Sequence, residues 1–118
     1  MKGNRESSGV VEKAFLMLPP AEREMVITHG AALRLSDLRK RLFLAESKIH
    51  HFEEKYQTTL GQVESLGLPD EADYLVHEDY VMWRHWAGVA EKAKEDIALL
   101  EKIAEHGLLL GESLDAGR

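Results

Sequence analysis

The sequence predicts an all-α protein whose centre is an antiparallel coiled-coil helical hairpin. In residues 35–56, apolar side chains recur at alternating spacings of three and four, which is the heptad pattern of one stripe on a long helix. A second stripe with the same spacing occupies residues 83–104. Turn-forming residues lie between the two stripes, at Gly61, Gly67 and Pro69. Two heptad helices joined by a compact connection are expected to fold back on each other.

The two stripes define the predicted helix seam. The first stripe consists of Leu35, Leu38, Leu42, Ala45, Ile49, Phe52 and Tyr56. The second stripe consists of Trp83, Trp86, Ala90, Ala93, Ile97, Leu100 and Ala104. The large aliphatic and aromatic members are expected to carry most of the packing between the helices, namely Leu35, Leu38, Leu42, Ile49, Phe52, Ile97 and Leu100.

A short N-terminal helix is expected to precede the hairpin. Residues 1–8 are polar and predicted to be frayed, and Val10–Leu18 has one apolar face that predicts a helix capped by Ser8. Two consecutive prolines should end this helix, and Pro20 suits the first position of the next one. Gly30 costs about 1 kcal/mol in a helix interior. Because good helix formers follow it, we expect the helix to continue, straight or kinked, to about residue 56.

The connection is predicted to contain a short helix with its own caps. Thr59 and Gln62 have the spacing of a capping box, and Gly67 suits a left-handed residue at the helix end. Asp70 or Asp73 can cap the second long helix. That helix is expected to end at about residue 106, before Gly107, and residues 107–118 are predicted to be a tail. The whole of residues 1–118 is predicted to form a single domain.

Composition limits the classes of protein that are compatible with the chain. Its 118 residues include no cysteine, so disulfides and thiol chemistry are excluded. No apolar run approaches the roughly 18–20 residues that a membrane span requires. The first residues lack the apolar region of a signal peptide. A cytoplasmic protein without a membrane segment is therefore expected.

The net charge of −6 is unevenly distributed along the chain. Residues 31–56 carry six basic and four acidic side chains, whereas residues 75–106 carry four basic and seven acidic ones. Opposite charge on the two long helices favours their pairing. An acidic chain argues against general nucleic-acid binding, which needs a basic field. A basic stretch keeps nucleic-acid contact open as a minor alternative; it consists of Arg34, Arg39, Lys40, Arg41 and Lys48.

The sequence contains no recognisable catalytic, cofactor or metal-binding pattern. A di-iron site of the ferritin type needs Glu and His three residues apart, but Glu46 and His50 are four apart. Zinc-protease spacing would require histidine four residues after His77, at Val81. Nucleophile and phosphate-binding glycine motifs are also missing. We therefore predict a protein that is not an enzyme and carries no cofactor or metal.

Aromatic residues cluster near the start of the second stripe, and two interpretations of them stay open. Large rings can fill the wide end of a hairpin by packing beneath the short helix. Tyr, Trp and Arg are also the residue types that most often anchor protein partners. The candidate partner-binding residues are Tyr80, Trp83, Arg84 and Trp86.

The turn after the first long helix resembles that of a family of small, largely uncharacterised prokaryotic helical proteins. That family has Phe-x-x-Lys-Tyr-Gly, a Ser/Thr cap, and later an acidic linker and a Trp-containing helix. The residues that match by position and type are Phe52, Lys55, Tyr56, Thr59, Leu60, Val63 and Trp83. Gln57 stands where the family has glycine. The resemblance covers roughly residues 33–100 and implies an antitoxin-type partner of a toxin-like protein.

The sequence leaves two classes of function open. Apolar residues off the two stripes exceed what a lone hairpin would bury, which favours contact with another chain. They are Met25, Ile27, Leu33, Phe43, Val89, Ile103 and Leu108–Leu110. The first hypothesis is a non-enzymatic protein-binding module, such as an antitoxin. The alternative is a self-associating structural protein, with a homodimer as the expected form.

Overall fold

The computed structural model describes the backbone of residues 2–68 and 72–116, and the side chains of residues 9–68 and 72–106. Every regular element in these ranges is an α-helix, which confirms the all-α prediction. The four helices are α1 (Lys2–Met17), α2 (Pro20–Tyr56), α3 (Leu60–Leu66) and α4 (Tyr74–Ala116). Among the described residues, none of these helices has an apolar stretch long enough for a bilayer crossing.

The chain folds into two compact units. The first unit contains Met1–Arg34 and Leu100–Arg118, and the second, which we call the hairpin unit, contains Leu35–Leu99. The hairpin unit holds the second part of α2, all of α3 and the first part of α4. It therefore contains nearly all of the predicted seam.

In the first unit, the junction between α1 and α2 is closed by local hydrogen bonds. The Leu18 amide donates to the Phe15 carbonyl at 3.1 Å, so the last turn of α1 tightens before the prolines. The Arg23 guanidinium, one turn into α2, donates to the Leu16 carbonyl at 3.3 Å and so pairs a carbonyl at the C-terminal end of α1. Helix α2 then continues through Gly30, as predicted, and buries Ala31.

Two helices are longer than the sequence predicts. Helix α1 begins at Lys2, so Ser8 lies within the helix and does not cap it. Helix α4 runs through Gly107 to Ala116, although Gly107 was the expected stop. A glycine in a helix costs only about 1 kcal/mol, and the three leucines that follow Gly107 are good helix formers. The glycine alone is therefore too weak a signal to end the helix.

The hairpin unit is antiparallel, as predicted. Tyr56, at the end of α2, bonds to Asp79 near the start of α4. One turn earlier on α2, Phe52 stacks on Trp83. Far from the connection, Leu38 and Ala93 line the same groove. Because earlier residues of α2 meet later residues of α4, the two helices run in opposite directions.

The predicted seam forms the core of the hairpin unit. Its buried residues are Leu35, Leu38, Ala45, Phe52, Trp83, Ala90, Ala93 and Ile97. Leu42 and Ile49 are half-buried and lie at the edge of the core, and Leu100, in the first unit, is also half-buried. Three of the buried residues are alanines, whose small side chains allow helix backbones to approach closely.

The connection has the caps that the sequence predicts, with one difference. Thr59 accepts a hydrogen bond from the Gln62 amide at 3.2 Å, and Gln62 accepts one from the Thr59 amide, which completes the capping box. Asp73 caps α4 by accepting from the Val76 amide at 3.0 Å, whereas Asp70 lies outside the described residues. Gly67 has φ 77° and ψ 164°, so its φ is positive but it is not in the predicted left-handed helical region. That backbone conformation is almost exclusive to glycine.

Gln57 is the one described residue other than glycine with a positive φ, at 51°. This is the left-handed conformation that commonly ends a helix and that glycine adopts most easily. The Gln57 side-chain amide offsets part of the cost by donating to the Glu54 carbonyl at 2.7 Å. The chain therefore makes a glycine-type turn with a residue that also caps the helix.

We expect Gly88→Ala to stabilise the protein by about 1 kcal/mol. Gly88 lies inside α4 with no atom within 4 Å of the position a methyl group would take, so alanine adds helix propensity without a clash. Thermal denaturation followed by circular dichroism should show a midpoint higher by roughly 3–6 °C. The matched control is Gly67→Ala, which should lower the midpoint because of the positive φ. A lower midpoint for Gly88→Ala would contradict the open environment of this glycine.

Candidate interaction site at the aromatic end of the hairpin

The end of the hairpin next to α3 is built around Trp83. This residue is 2 % exposed, and its ring stacks against two rings of α2. The Phe52 and Trp83 ring centroids are 5.8 Å apart at an interplanar angle of 23°, and those of Tyr56 and Trp83 are 6.0 Å apart at 16°. Phe52 and Tyr56 are four residues apart, so one face of α2 presents both rings. The interpretation that large rings fill this end therefore holds for Trp83, which exposes too little surface to anchor a partner protein.

The other three candidate partner-binding residues remain at the surface of this end. Tyr80 and Trp86 are half-buried, and Arg84 is exposed. The Arg84 guanidinium lies 5.9 Å from the centroid of the Tyr80 ring and forms an ion pair with Glu64 of α3 at 3.4 Å. Because both partners of this ion pair are largely exposed, it adds little to stability. The ion pair nevertheless holds Arg84 beside α3, close to the Tyr80 ring.

At the same end of the hairpin, the Asp79 carboxylate of α4 forms hydrogen bonds with the last residues of α2. Asp79 accepts hydrogen bonds from the Lys55 ammonium and the Tyr56 hydroxyl, both at 2.5 Å and both on the same carboxylate oxygen. The Lys55 ammonium and then the Tyr56 hydroxyl hold the pKa of Asp79 below its usual value. Burial raises the pKa of Tyr56, and the hydrogen bond to Asp79 raises it further. The Asp79 carboxylate in turn raises the pKa of Lys55.

We expect the stabilising effect of Asp79 to depend on pH in the acid range. A carboxylate whose pKa is lowered by folding stabilises the protein above its unfolded pKa of about 4, and this contribution is lost as the pH falls through the folded pKa. Its size should be about 1 kcal/mol, because a quarter of the Asp79 side chain is exposed. Urea denaturation at pH 7 and pH 3 would measure it.

In that experiment Asp79→Asn should lose less stability between pH 7 and pH 3 than the parent protein. Glu78→Gln is the matched control, since Glu78 is the adjacent carboxylate and accepts a hydrogen bond from Tyr74 on the exposed side of α4. It should follow the parent closely. If Asp79→Asn and the parent lost the same stability on acidification, the proposed role of this carboxylate would be wrong.

A second feature of the hairpin unit is an apolar patch on the first part of α4, formed by exposed residues that do not belong to the seam. We call it the α4 outer patch; it consists of Tyr74, Leu75, Val81 and Met82. Their side chains are 73 %, 66 %, 62 % and 44 % exposed. The second pair follows the first by seven residues, so all four lie on one face of the helix. Large apolar side chains grouped in this way are typical of an interaction surface.

The remaining sequence candidates are not brought together into a site. Within the described side chains, no three His, Cys, Asp or Glu residues are placed to hold a metal ion. His50 interacts with Glu54 at 3.1 Å along an exposed face of α2. The residues of the basic stretch are exposed on α2.

Sequence reasoning missed the α4 outer patch and the Asp79 network. The patch has a heptad signal of its own, which the stronger stripe through Trp83 and Trp86 conceals. The hydrogen bonds from Lys55 and Tyr56 to Asp79 could not be recognised in the sequence, because Asp79 lies 23 residues beyond Tyr56 and no fixed spacing relates them. Comparisons of the chain with protein-family models, with curated proteins and with solved structures found no match.

Proposed function

We propose that this chain is a non-enzymatic protein-binding module that packs a helix of a partner protein against the α4 outer patch. The observation that carries the proposal is the exposure of four large apolar side chains in heptad register. The heptad register matters because it keeps an apolar row in line with a second helix over more than one turn. An isolated exposed leucine needs no such explanation, whereas a patch of this kind does.

Further contacts with a partner would come from the aromatic end of the hairpin, where three candidate residues lie at the surface. Tyr80, Arg84 and Trp86 belong to the types that contribute most to binding energy when a partner covers them. Trp83 takes a different part in the proposal. Trp83 packs the first part of α4 against α2 and so fixes the positions of the surface residues, but does not itself touch the partner.

The resemblance of the turn suggests the class of partner. An antitoxin-like protein would bind a toxin-like protein, and the two genes would be neighbours. The positive φ of Gln57 supports the likeness of the turn, since glycine occupies this position in the family. A cytoplasmic location, and the lack of a cofactor, belong to the same proposal.

The test is co-expression with the product of the neighbouring gene. The parent chain is expected to co-purify with it in a fixed ratio, and the double variant Val81→Lys/Met82→Lys should abolish the complex while keeping its helical content. Leu99→Lys is the matched control, because Leu99 is an exposed leucine of α4 outside the patch. A complex that survives the double variant would defeat the proposed site, and an absent complex would defeat the heterologous partner.

The second candidate function is self-association, and it is favoured by exposed apolar residues on both long helices. Phe43 of α2 is exposed in addition to the α4 outer patch. Two hairpins could cover such surfaces by forming a four-helix bundle. Light scattering at micromolar concentration would then give about twice the chain mass of 13.3 kDa. A monomer that also fails to bind the neighbouring gene product would exclude both candidates, and nucleic-acid binding by the basic stretch would be tested next.

A further inference from the structure

A cavity opens between α3 and the first turns of α4 in the hairpin unit. Its volume is about 410 Å³, which is within the range of small-molecule sites. It is lined by Tyr56, Thr58, Gln62, Val63, Leu66, Gly67, Leu68, Ala72, Val76, Tyr80 and Trp83. Every one of these side chains is uncharged.

The walls of the cavity combine flat rings with aliphatic side chains. Tyr56, Tyr80 and Trp83 supply three aromatic rings, and Val63 and Val76 face the same space from α3 and α4. Ring walls favour a ligand that is itself a ring, because offset and edge-to-face contacts add to the burial of apolar area. Apolar cavities are also poorly hydrated, so a ligand displaces little bound water.

Among the described residues, two pairs of opposite charge lie close to the lining residues. Lys55 pairs with Asp79, and Arg84 pairs with Glu64 of α3. A charged ligand would lose its hydration without gaining a partner among the lining residues. The lining does include uncharged polar groups, namely the Tyr80 hydroxyl and the side-chain NH2 group of Gln62, whose side-chain oxygen accepts in the capping box. These groups can orient a ligand that has one hydrogen-bonding substituent.

We propose that this cavity binds a small, uncharged aromatic molecule of one or two rings with a single hydrogen-bonding group. The site is distinct from the α4 outer patch and does not depend on a protein partner. An apolar side chain of a partner is the competing occupant. The free molecule is favoured because the cavity volume lies within the range of small-molecule sites and polar side chains stand among its rings.

Isothermal titration calorimetry with 2-naphthol as the probe tests the proposal. The purified chain should show saturable one-to-one binding at neutral pH, where 2-naphthol is uncharged. The matched probe is 2-naphthoate, which has the same rings and a carboxylate. We expect its affinity to be at least about tenfold lower, because the described lining residues include no cation. Equal affinity for the two probes would overturn the proposal.

Two variants place the binding in the cavity. Val76→Phe and Ala72→Leu fill part of the space and should each weaken 2-naphthol binding at least about tenfold, with a melting temperature equal to or above that of the parent. Leu44→Ala, at an exposed leucine of α2 outside the cavity, should bind as the parent does.

If Val76→Phe and Ala72→Leu both bound 2-naphthol as the parent does, the probe would bind elsewhere on the protein. That result would overturn the proposal. If a partner's side chain is the true occupant, the parent will show no saturable binding of 2-naphthol, which also overturns it. Neither result would affect the test of the α4 outer patch, because that test uses different residues and a different binding partner.

Discussion

Replacing Trp83 by alanine is expected to destabilise the protein by about 3–5 kcal/mol, the range for deleting a large buried ring. The ring stacks against both Phe52 and Tyr56, so its removal leaves a cavity beside these two rings. Urea denaturation followed by circular dichroism would measure the change. Because such a loss is a large part of the stability of a small protein, partial unfolding at room temperature is also an expected result.

Two further variants separate the cost of emptying the buried Trp83 position from the general cost of losing an aromatic residue. Trp86→Ala removes the same side chain from a half-buried position and should cost clearly less. Trp83→Phe should cost less than Trp83→Ala, since a ring remains. Trp83→Phe also removes a buried indole N–H that has no acceptor among the described residues. Losing this unpaired donor removes a desolvation cost. If Trp83→Ala and Trp86→Ala were equally stable, the assignment of Trp83 to the core would be wrong.

Replacing Leu38 by aspartate is expected to have the second large effect, a loss of more than about 4 kcal/mol. Leu38 is 2 % exposed in the seam. The substitution removes most of a buried aliphatic side chain and places a carboxylate where water cannot solvate it. We expect the variant to lose cooperative thermal unfolding or to melt far below the parent in circular dichroism.

Leu44→Asp is the matched control for this substitution. Leu44 lies on the same helix, but its side chain is exposed. The same chemical change should therefore cost less than about 1 kcal/mol there. Equal effects at Leu38 and Leu44 would show that the seam does not separate buried from exposed positions. Leu42→Asp should fall between the two, because Leu42 is half-buried at the edge of the core.

The parts of the fold that follow from local rules could be predicted from the sequence. The heptad spacing identified the buried face of both long helices, because a helix can bury only one stripe against a single neighbour. Thr59 and Gln62 identified the start of α3, because a capping box needs only two residues at a fixed spacing. Both predictions depend on residues close together in the chain.

The features that could not be predicted depend on the balance of small energies or on distant residues. The end of α4 was misplaced at Gly107, since a cost of about 1 kcal/mol does not decide where a helix stops. Trp83 and Trp86 look alike in the sequence, and only the packing around Phe52 and Tyr56 separates them. The cavity beside α3 likewise exists only after the elements are assembled.

The antiparallel hairpin has a consequence for the order in which the protein folds. Tyr56 and Asp79 are 23 residues apart, whereas Leu38 and Ala93, which share a groove, are more than twice as far apart in the chain. The entropy cost of closing a loop rises with its length, so contacts next to the connection form at the lowest cost. We infer that the folding nucleus lies at the aromatic end and that the seam then closes towards Leu35. Kinetic φ-values for Phe52→Leu should therefore exceed those for Leu38→Ala, and the reverse order would place the nucleus at the opposite end of the hairpin unit.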